Sequence, residues 1–314
     1  MSVYTVVSRE QLEEFLQTYS IGELVNFEGI SAGIENTNYF VSTTSSEFVL
    51  TLFESHTADE LCYFLDLMAF LAEHDVPSAH PIADKQGHYL RTLNDKPAAL
   101  VKRLAGKVIE DPNVAQCAAI GHALGDLHAK GQQFSEHRDA DRGPSWWCDT
   151  AERLYEHISD EDTGLLRAEI RYQSSQRTAA LPRGVIHADL FRDNALFIGD
   201  DCTGIIDFYY ACNDVLLYDL AVTVNDWCSN SDGSLDEHRS RAIIKAYIPQ
   251  RPVNADEHDA WQLMLRAAAL RFWLSRLQDK HFPRQGEITH IKDPEVMKNI
   301  LLHRINDNLT EIRA

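Results

Sequence analysis

The sequence predicts an α+β chain of two lobes: a small antiparallel-sheet lobe over residues 1–101, a hinge at 102–106, and a larger, mostly helical lobe over 107–314. Three observations carry this. Short strand-like runs fill the first hundred residues around one long helix. After Gly106 the apolar residues recur with the period of amphipathic helices. Between them in character, "GVIHADLFRDNALFIGDDCTGIIDFYY" (184–210) sets five aspartates among Val, Ile, Leu and Phe, so carboxylates stand at the ends of apolar strands.

Each element follows from local pattern. Residues 8–19, "SREQLEEFLQTY", predict a short helix capped by Ser8, with Leu12, Phe15 and Leu16 on one face. Strands are expected in "LVNFEGISAG" and "NTNYFVST", which flank Gly33, and in "EFVLTLFE" after a polar "TTSS" turn. "TADELCYFLDLMAFLAEHD" spaces Leu61, Phe64, Leu65, Met68 and Leu71 as a helix that ends at Val76-Pro77. "GHYLRTLNDKPAALVKRLAG" holds two further strands around an Asn-Asp turn. "DPNVAQCAAIGHALGDLHAKG" reads as a helix opening on Asp111-Pro112 and closing at Gly131. Further helices are expected over 146–160, 163–180, 214–228, 236–248, 256–280 and 294–312. Within 184–210, "VIH" is a strand ending at His187, "ADLFRDN" a loop, "ALFI" a strand, "GDDCTG" a turn and "IIDF" a returning strand.

Composition narrows the function. Of 314 residues, 44% are hydrophobic, enough for a real core. The net charge of −19 argues against duplex nucleic acid, which needs clustered Lys and Arg, but not against a nucleotide held in a local cationic pocket or by magnesium. No run approaches the ~20 apolar residues of a membrane span. "MSVYTVVSREQLEEFLQ" lacks a basic region followed by an apolar block, so a cytoplasmic chain is expected. The six cysteines (Cys62, Cys117, Cys148, Cys202, Cys212, Cys228) include no C-x-x-C pair and read as reduced, mostly buried thiols.

The hairpin expected in 184–210 brings the loop carrying Asp189 and Asn194 beside Asp207. Two like charges ~4 Å apart at an effective dielectric of about 20 repel by roughly 4 kcal/mol, so converging carboxylates ask for a cation. One carboxylate accepting a proton from an attacking hydroxyl, with an amide oxygen and a second carboxylate on magnesium, is the equipment of phosphoryl transfer. His187 reads as a support that shapes the loop, and Asp193 as a surface charge.

The pattern His187-x-Asp189-x4-Asn194, followed by Asp207, is similar to the catalytic loop and metal-binding aspartate of the protein-kinase-like phosphotransferases. From there outward the chain resembles the aminoglycoside-phosphotransferase-like kinases. "LGDLHAKG" is similar to their L-x-x-L-H helix end, and "PAALVKRLAG" to their hinge strand, which hydrogen-bonds adenine. "GISAGIENTNYFV", "FVLTLFE", "LYDLAVTVNDWC" and "RAAALRFWLSRLQDKHFPRQGE" extend a closer resemblance, along nearly the whole chain, to the homoserine kinases built on this fold. The resemblance implies a protein-kinase-like fold and transfer of phosphate from ATP, with Mg2+, to the hydroxyl of L-homoserine, a step of threonine biosynthesis. It implies Asp189 as the base, Asn194 and Asp207 as magnesium ligands, and Ser31 to Asn38, with Ser31, Asn36 and Asn38, as the hairpin over the nucleotide. Lys102 and Leu104 fall in the hinge strand. In one departure, Thr51 stands where most relatives carry a strand lysine that pairs with the phosphates, with Glu60 as the counterpart of that lysine's carboxylate partner.

Homoserine offers a carboxylate, an ammonium and a hydroxyl. A planar bidentate donor suits the carboxylate. Arg266, Arg271 and Arg276 recur every five residues, about 500° of rotation, so they do not share a face. Arg271, in the most apolar part, is the expected reader, against the alternative of a structural ion pair. Tyr209, Asp214, Asp226 and Trp227 are candidates for the ammonium, with no choice among them; Trp146-Trp147 reads as a pocket wall or a core pair. Competing functions are a related kinase acting on choline, an aminoglycoside or another amino alcohol, and a non-catalytic pseudokinase motivated by the missing lysine. The sequence leaves oligomeric state open.

Overall fold

The computed structural model describes residues 5–30, 36–283, 292–307 and 312. They divide into two compact units, one ending at Ala105 and one beginning at Gly106.

The first unit opens with α1 (Arg9–Leu16), where Ser8 and Gln11 close a capping box. Strands β1 (Leu24–Gly29), β2 (Thr37–Thr43) and β3 (Glu47–Leu52) precede α2 (Ala58–Glu73), and β4 (Leu90–Leu93) and β5 (Lys96–Lys102) complete an antiparallel sheet of order β1-β2-β3-β5-β4. Alternation decides its faces. Tyr39 and Val41, Phe48 and Leu50, and Ala98 and Leu100 point to one side and form a core with Leu12, Phe15 and Leu16 of α1. Asn94 and Asp95, both at positive φ (51° and 61°), make the tight turn between β4 and β5.

The second unit holds α3 (Val114–Gly131), α4 (Pro144–Leu154), α5 (Asp160–Ser175), β6 (Arg183–Ile186), β7 (Ala195–Ile198), β8 (Asp201–Ile205), β9 (Cys212–Val215), α6 (Leu216–Trp227), α7 (Glu237–Tyr247), α8 (Ala255–Asp259), α9 (Trp261–His281) and α10 (Pro294–Asn306). β6 pairs with β9 and β7 with β8, both antiparallel. Helices α3 and α7 cross closely because α3 presents glycine: a Cβ on Gly121 would stand 2.3 Å from the Ile243 carbonyl oxygen.

Four expectations shift. α3 begins after Asn113, whose side chain with Gln116 forms the cap, rather than at Asp111-Pro112. The helix expected over 256–280 is two, because Ala260 (φ −88°, ψ 0°) leaves the helical region and α9 restarts at Trp261. In the β7–β8 hairpin, Gly199 at φ 62° permits a two-residue turn, so Asp201, Cys202 and Gly204 pair in the ladder with Thr203 bulged between them, and Asp207 lies beyond the strand end. Of the six cysteines only Cys117, Cys212 and Cys228 are buried; Cys62 and Cys148 occupy exposed positions of α2 and α4, and Cys202 is half-buried in β8.

Candidate active site

β6 delivers the chain into the loop 187–194, and one buried carboxylate on α6 fixes that loop's entry. Asp219 accepts the His187 N–H at 2.7 Å and the Ala188 N–H at 2.8 Å. It also accepts His128 Nε2–H at 3.0 Å, while His128 Nδ1 lies 2.7 Å from the Tyr247 hydroxyl. Burial alone would push the Asp219 carboxyl up, but the His128 hydrogen bond and the neighbouring donors hold it below its ordinary value. Ala188 takes φ 64°, a region costly for a residue with Cβ, and Asp219 holds it there.

His187 is fully buried, and burial lowers its pKa, which keeps the ring neutral. Its Nδ1 accepts the Asp189 N–H at 3.2 Å, so Nε2 carries the proton and donates to the Ile206 carbonyl at 3.0 Å. The imidazole thus staples the backbone of Asp189 to the residue preceding Asp207. A second tie runs from Ile206 N–H to the Asn194 carbonyl, 3.0 Å. Asp207, exposed, follows at φ 66°. The chain path therefore brings Asp189, Asn194 and Asp207 to one neighbourhood.

Asn194 donates both amide hydrogens to Asp189, at 2.8 Å to the carbonyl and 3.2 Å to Oδ2. That leaves its Oδ1 as an acceptor. An amide oxygen and the Asp207 carboxylate are hard oxygen donors of the kind magnesium takes, and magnesium keeps most of its shell for water and phosphate. Among the described residues no cluster of three or more His, Cys, Asp or Glu could hold a metal unaided.

Beside Asp189 opens a cavity of about 390 Å³ within the second unit, lined by Ala188, Tyr210, Asp214, Tyr218 and Arg271 among others. The Arg271 side chain is only 5% exposed, with Nη1 3.9 Å from Asp189 Oδ1. It lies over the Phe272 ring at 3.8 Å and the Tyr210 ring at 5.1 Å. At 3.9 Å the Asp189 contact is an ion pair and not a hydrogen bond, and among the described residues the guanidinium makes none. The other two helix arginines are committed elsewhere, Arg266 to Glu169 and Arg276 to the Asp293 carbonyl. Trp147 lines the cavity with its indole N–H on the Arg142 carbonyl, and Trp146 sits under Arg142.

Several expected residues fall elsewhere. Trp227 is corrected out of the substrate set: it is fully buried against Phe197, its N–H donated to the Leu190 carbonyl. Asp226 is held by Arg192, and Asp193 pairs with Lys292 at the surface. Tyr209 is half-buried, and Tyr210, its neighbour, lines the cavity instead.

In the first unit, Thr51 is corrected as a phosphate donor. Its single hydroxyl proton goes to Asn38 Oδ1 at 2.7 Å, across the β2–β3 pair. Asn36 is buried and accepts the Glu54 N–H. Glu60 closes the capping box of α2 with Thr57. Lys102 is exposed at the end of β5 and Leu104 half-buried after it. Ser31 lies outside the described residues.

Sequence reasoning missed Asp219, His128, Tyr210 and Tyr218. A signal for Asp219 was present: it is the only charged residue in "LLYDLAVTVN", and a carboxylate in an apolar helix needs partners.

Comparison with known proteins shows the family and the fold. A model of the phosphotransferase enzyme family matches residues 26–277. The homoserine kinase of Methylobacillus flagellatus is 50% identical over 97% of this chain and 96% of its own. That of Methylobacillus glycogenes is 49% identical over 96% and 95%. Among solved structures, an amicoumacin kinase in complex with AMP-PNP, Ca2+ and Ami superposes with a TM-score of 0.70 at 13% identity, covering 98% of this chain and 95% of that one, a likeness of fold.

Proposed function

The chain belongs to the homoserine kinases of the phosphotransferase enzyme family, and from that premise we propose how its residues divide the work of passing the γ-phosphoryl group of ATP to the hydroxyl of L-homoserine. Asp189 is the base: the hydroxyl oxygen bonds to the γ-phosphorus, its proton passes to Asp189, the bond from that phosphorus to the bridging oxygen breaks, and ADP leaves. Asn194 Oδ1 and Asp207 would hold magnesium, which supplies charge neutralisation at the β- and γ-phosphates. Asn36, Asn38 and the backbone of 31–38 serve the nucleotide phosphates, Asn38 oriented by Thr51; the Lys102–Leu104 backbone serves the adenine.

One observation carries the substrate assignment. The Arg271 side chain, 95% withdrawn from solvent and adjoining Asp189, holds its guanidinium donors without a hydrogen-bonded partner among the described residues. Buried donors demand acceptors, and a substrate carboxylate supplies two in bidentate geometry. A polycationic aminoglycoside or choline would be repelled at that point, which favours a substrate bearing a carboxylate over the amino-alcohol reading. The Asp189–Asn194 hydrogen bonds also speak against a pseudokinase, which has no need of an oriented base. ADP release measured side by side with homoserine, choline and kanamycin tests this. Homoserine alone should support turnover; equal turnover with choline or kanamycin, or none with any, overturns it.

A further inference from the structure

We propose that Asp214 is the specificity residue that reads the substrate's α-ammonium, so that Asp214 and Arg271 together recognise an α-amino acid headgroup. This rests on the reading of Asp189 and Arg271 given above and deepens it.

The cavity beside Asp189 is lined by two carboxylates, Asp141 and Asp214. Asp141 is exposed and tied to Arg138 at 2.5 Å. Asp214 is better placed. It sits in β9 opposite Gly184 of β6, so the ladder fixes its backbone, and its side chain is 23% exposed. Its Oδ1 accepts both Arg183 Nη1 and the Val215 N–H, each at 2.8 Å. Two donors on one oxygen orient the carboxylate, and Oδ2 receives no hydrogen bond among the described residues. The Arg183 side chain is more than half exposed, so this is a surface ion pair that solvent weakens.

Tyr218, also in the cavity wall, reports both charges. Burial pushes its phenol up, Arg271 pulls it down, and Asp214 pushes it up. Of the three arginines in the lining, Arg183 pairs with Asp214 and Arg142 lies over the Trp146 ring, so the cavity presents Arg271 with open donors and Asp214 with an open acceptor around one aromatic wall. An α-amino acid carries the complementary pair on a single carbon, leaving its hydroxyl-bearing chain for Asp189. Tyr210 adds an aromatic face within the same wall.

The test compares wild type, Asp214→Asn, Asp214→Glu and Asp141→Asn in steady-state kinetics with L-homoserine and with its des-amino analogue, γ-hydroxybutyrate. Wild type prefers homoserine. Asp214→Asn raises KM for homoserine by roughly ten- to a hundredfold, the range a lost hydrogen bond to a charged group commands, with kcat and the KM for ATP little changed. Its preference for homoserine over γ-hydroxybutyrate falls by a similar factor. Asp214→Glu retains a preference above that of Asp214→Asn, because it keeps the charge. Asp141→Asn, which removes the cavity's other carboxylate and not the reader, keeps the wild-type preference. An unaltered preference in Asp214→Asn, or equal preferences in the Asn and Glu variants, overturns the assignment of Asp214 while homoserine kinase activity stands. A wild type that fails to turn over homoserine removes the underlying reading as well.

Discussion

The buried support of the loop 187–194 and the cavity beside it treat polar groups in opposite ways. Behind the loop, Asp219 is fully buried, and its two oxygens collect three donors from His187, Ala188 and His128. In the cavity, Arg271 is almost as buried and donates no hydrogen bond among the described residues. Both groups sit where an unmatched charge is expensive. The first is matched by the protein and positions backbone. The second is not, and on the proposed reading the substrate carboxylate matches it. The difference separates scaffold from recognition without reference to the charge either carries, and it makes their substitutions diverge.

The largest effect is expected at the group both regions converge on. Asp189→Asn should lower kcat by about 10²–10⁴ while leaving the KM for ATP nearly unchanged, as stopped and steady-state ADP release would measure. Turnover near the wild-type level would break the assignment. Asp219→Ala should destabilise the fold by about 3–5 kcal/mol in urea titration, because it strands two backbone N–H groups and the His128 partner in the interior. Arg271→Leu sharpens the contrast. It should raise KM for homoserine by roughly ten- to a hundredfold yet leave the urea midpoint unchanged or higher, since an apolar side chain replaces an under-bonded charge. A loss of stability equal to that of Asp219→Ala would erase the distinction.

Gly121→Ala should cost about 1–3 kcal/mol by forcing α3 away from the Ile243 carbonyl, and with it Tyr247 away from His128. The smallest effect is one of pH. The folded Asp219 carboxyl lies below its ordinary range, so its stabilisation is complete above the unfolded value of about 3.9 and is lost as pH falls through the lower folded one. Urea midpoints of Asp219→Asn should lack that acid-dependent part.

What was legible in the sequence follows from what is local. Ser8, Asn94-Asp95 and the alternation of Tyr39 and Val41 specify a cap, a turn and a strand face within a few residues each, and the structure has all three. The spacing of His187, Asp189 and Asn194 is likewise linear, so the loop could be read as a unit. The break at Ala260 could not, because apolar helical spacing continues across it and only its backbone dihedrals leave the helix. Trp227 misled for a related reason: beside Asp226 it reads as part of a polar wall, but one residue's rotation on α6, about 100°, turns it into the core. Asp219 and His128 lie 91 residues apart, and no local pattern announces that they meet.

The hydrogen bond from Thr51 to Asn38 has a practical consequence. Lysine-directed covalent reagents that silence kinases by capturing the third-strand amine find a hydroxyl here, and one already engaged. Selective inhibition of this chain would have to come from elsewhere, and the cavity lined by Arg271 and Asp214 is a handle that amine-capturing chemistry does not use.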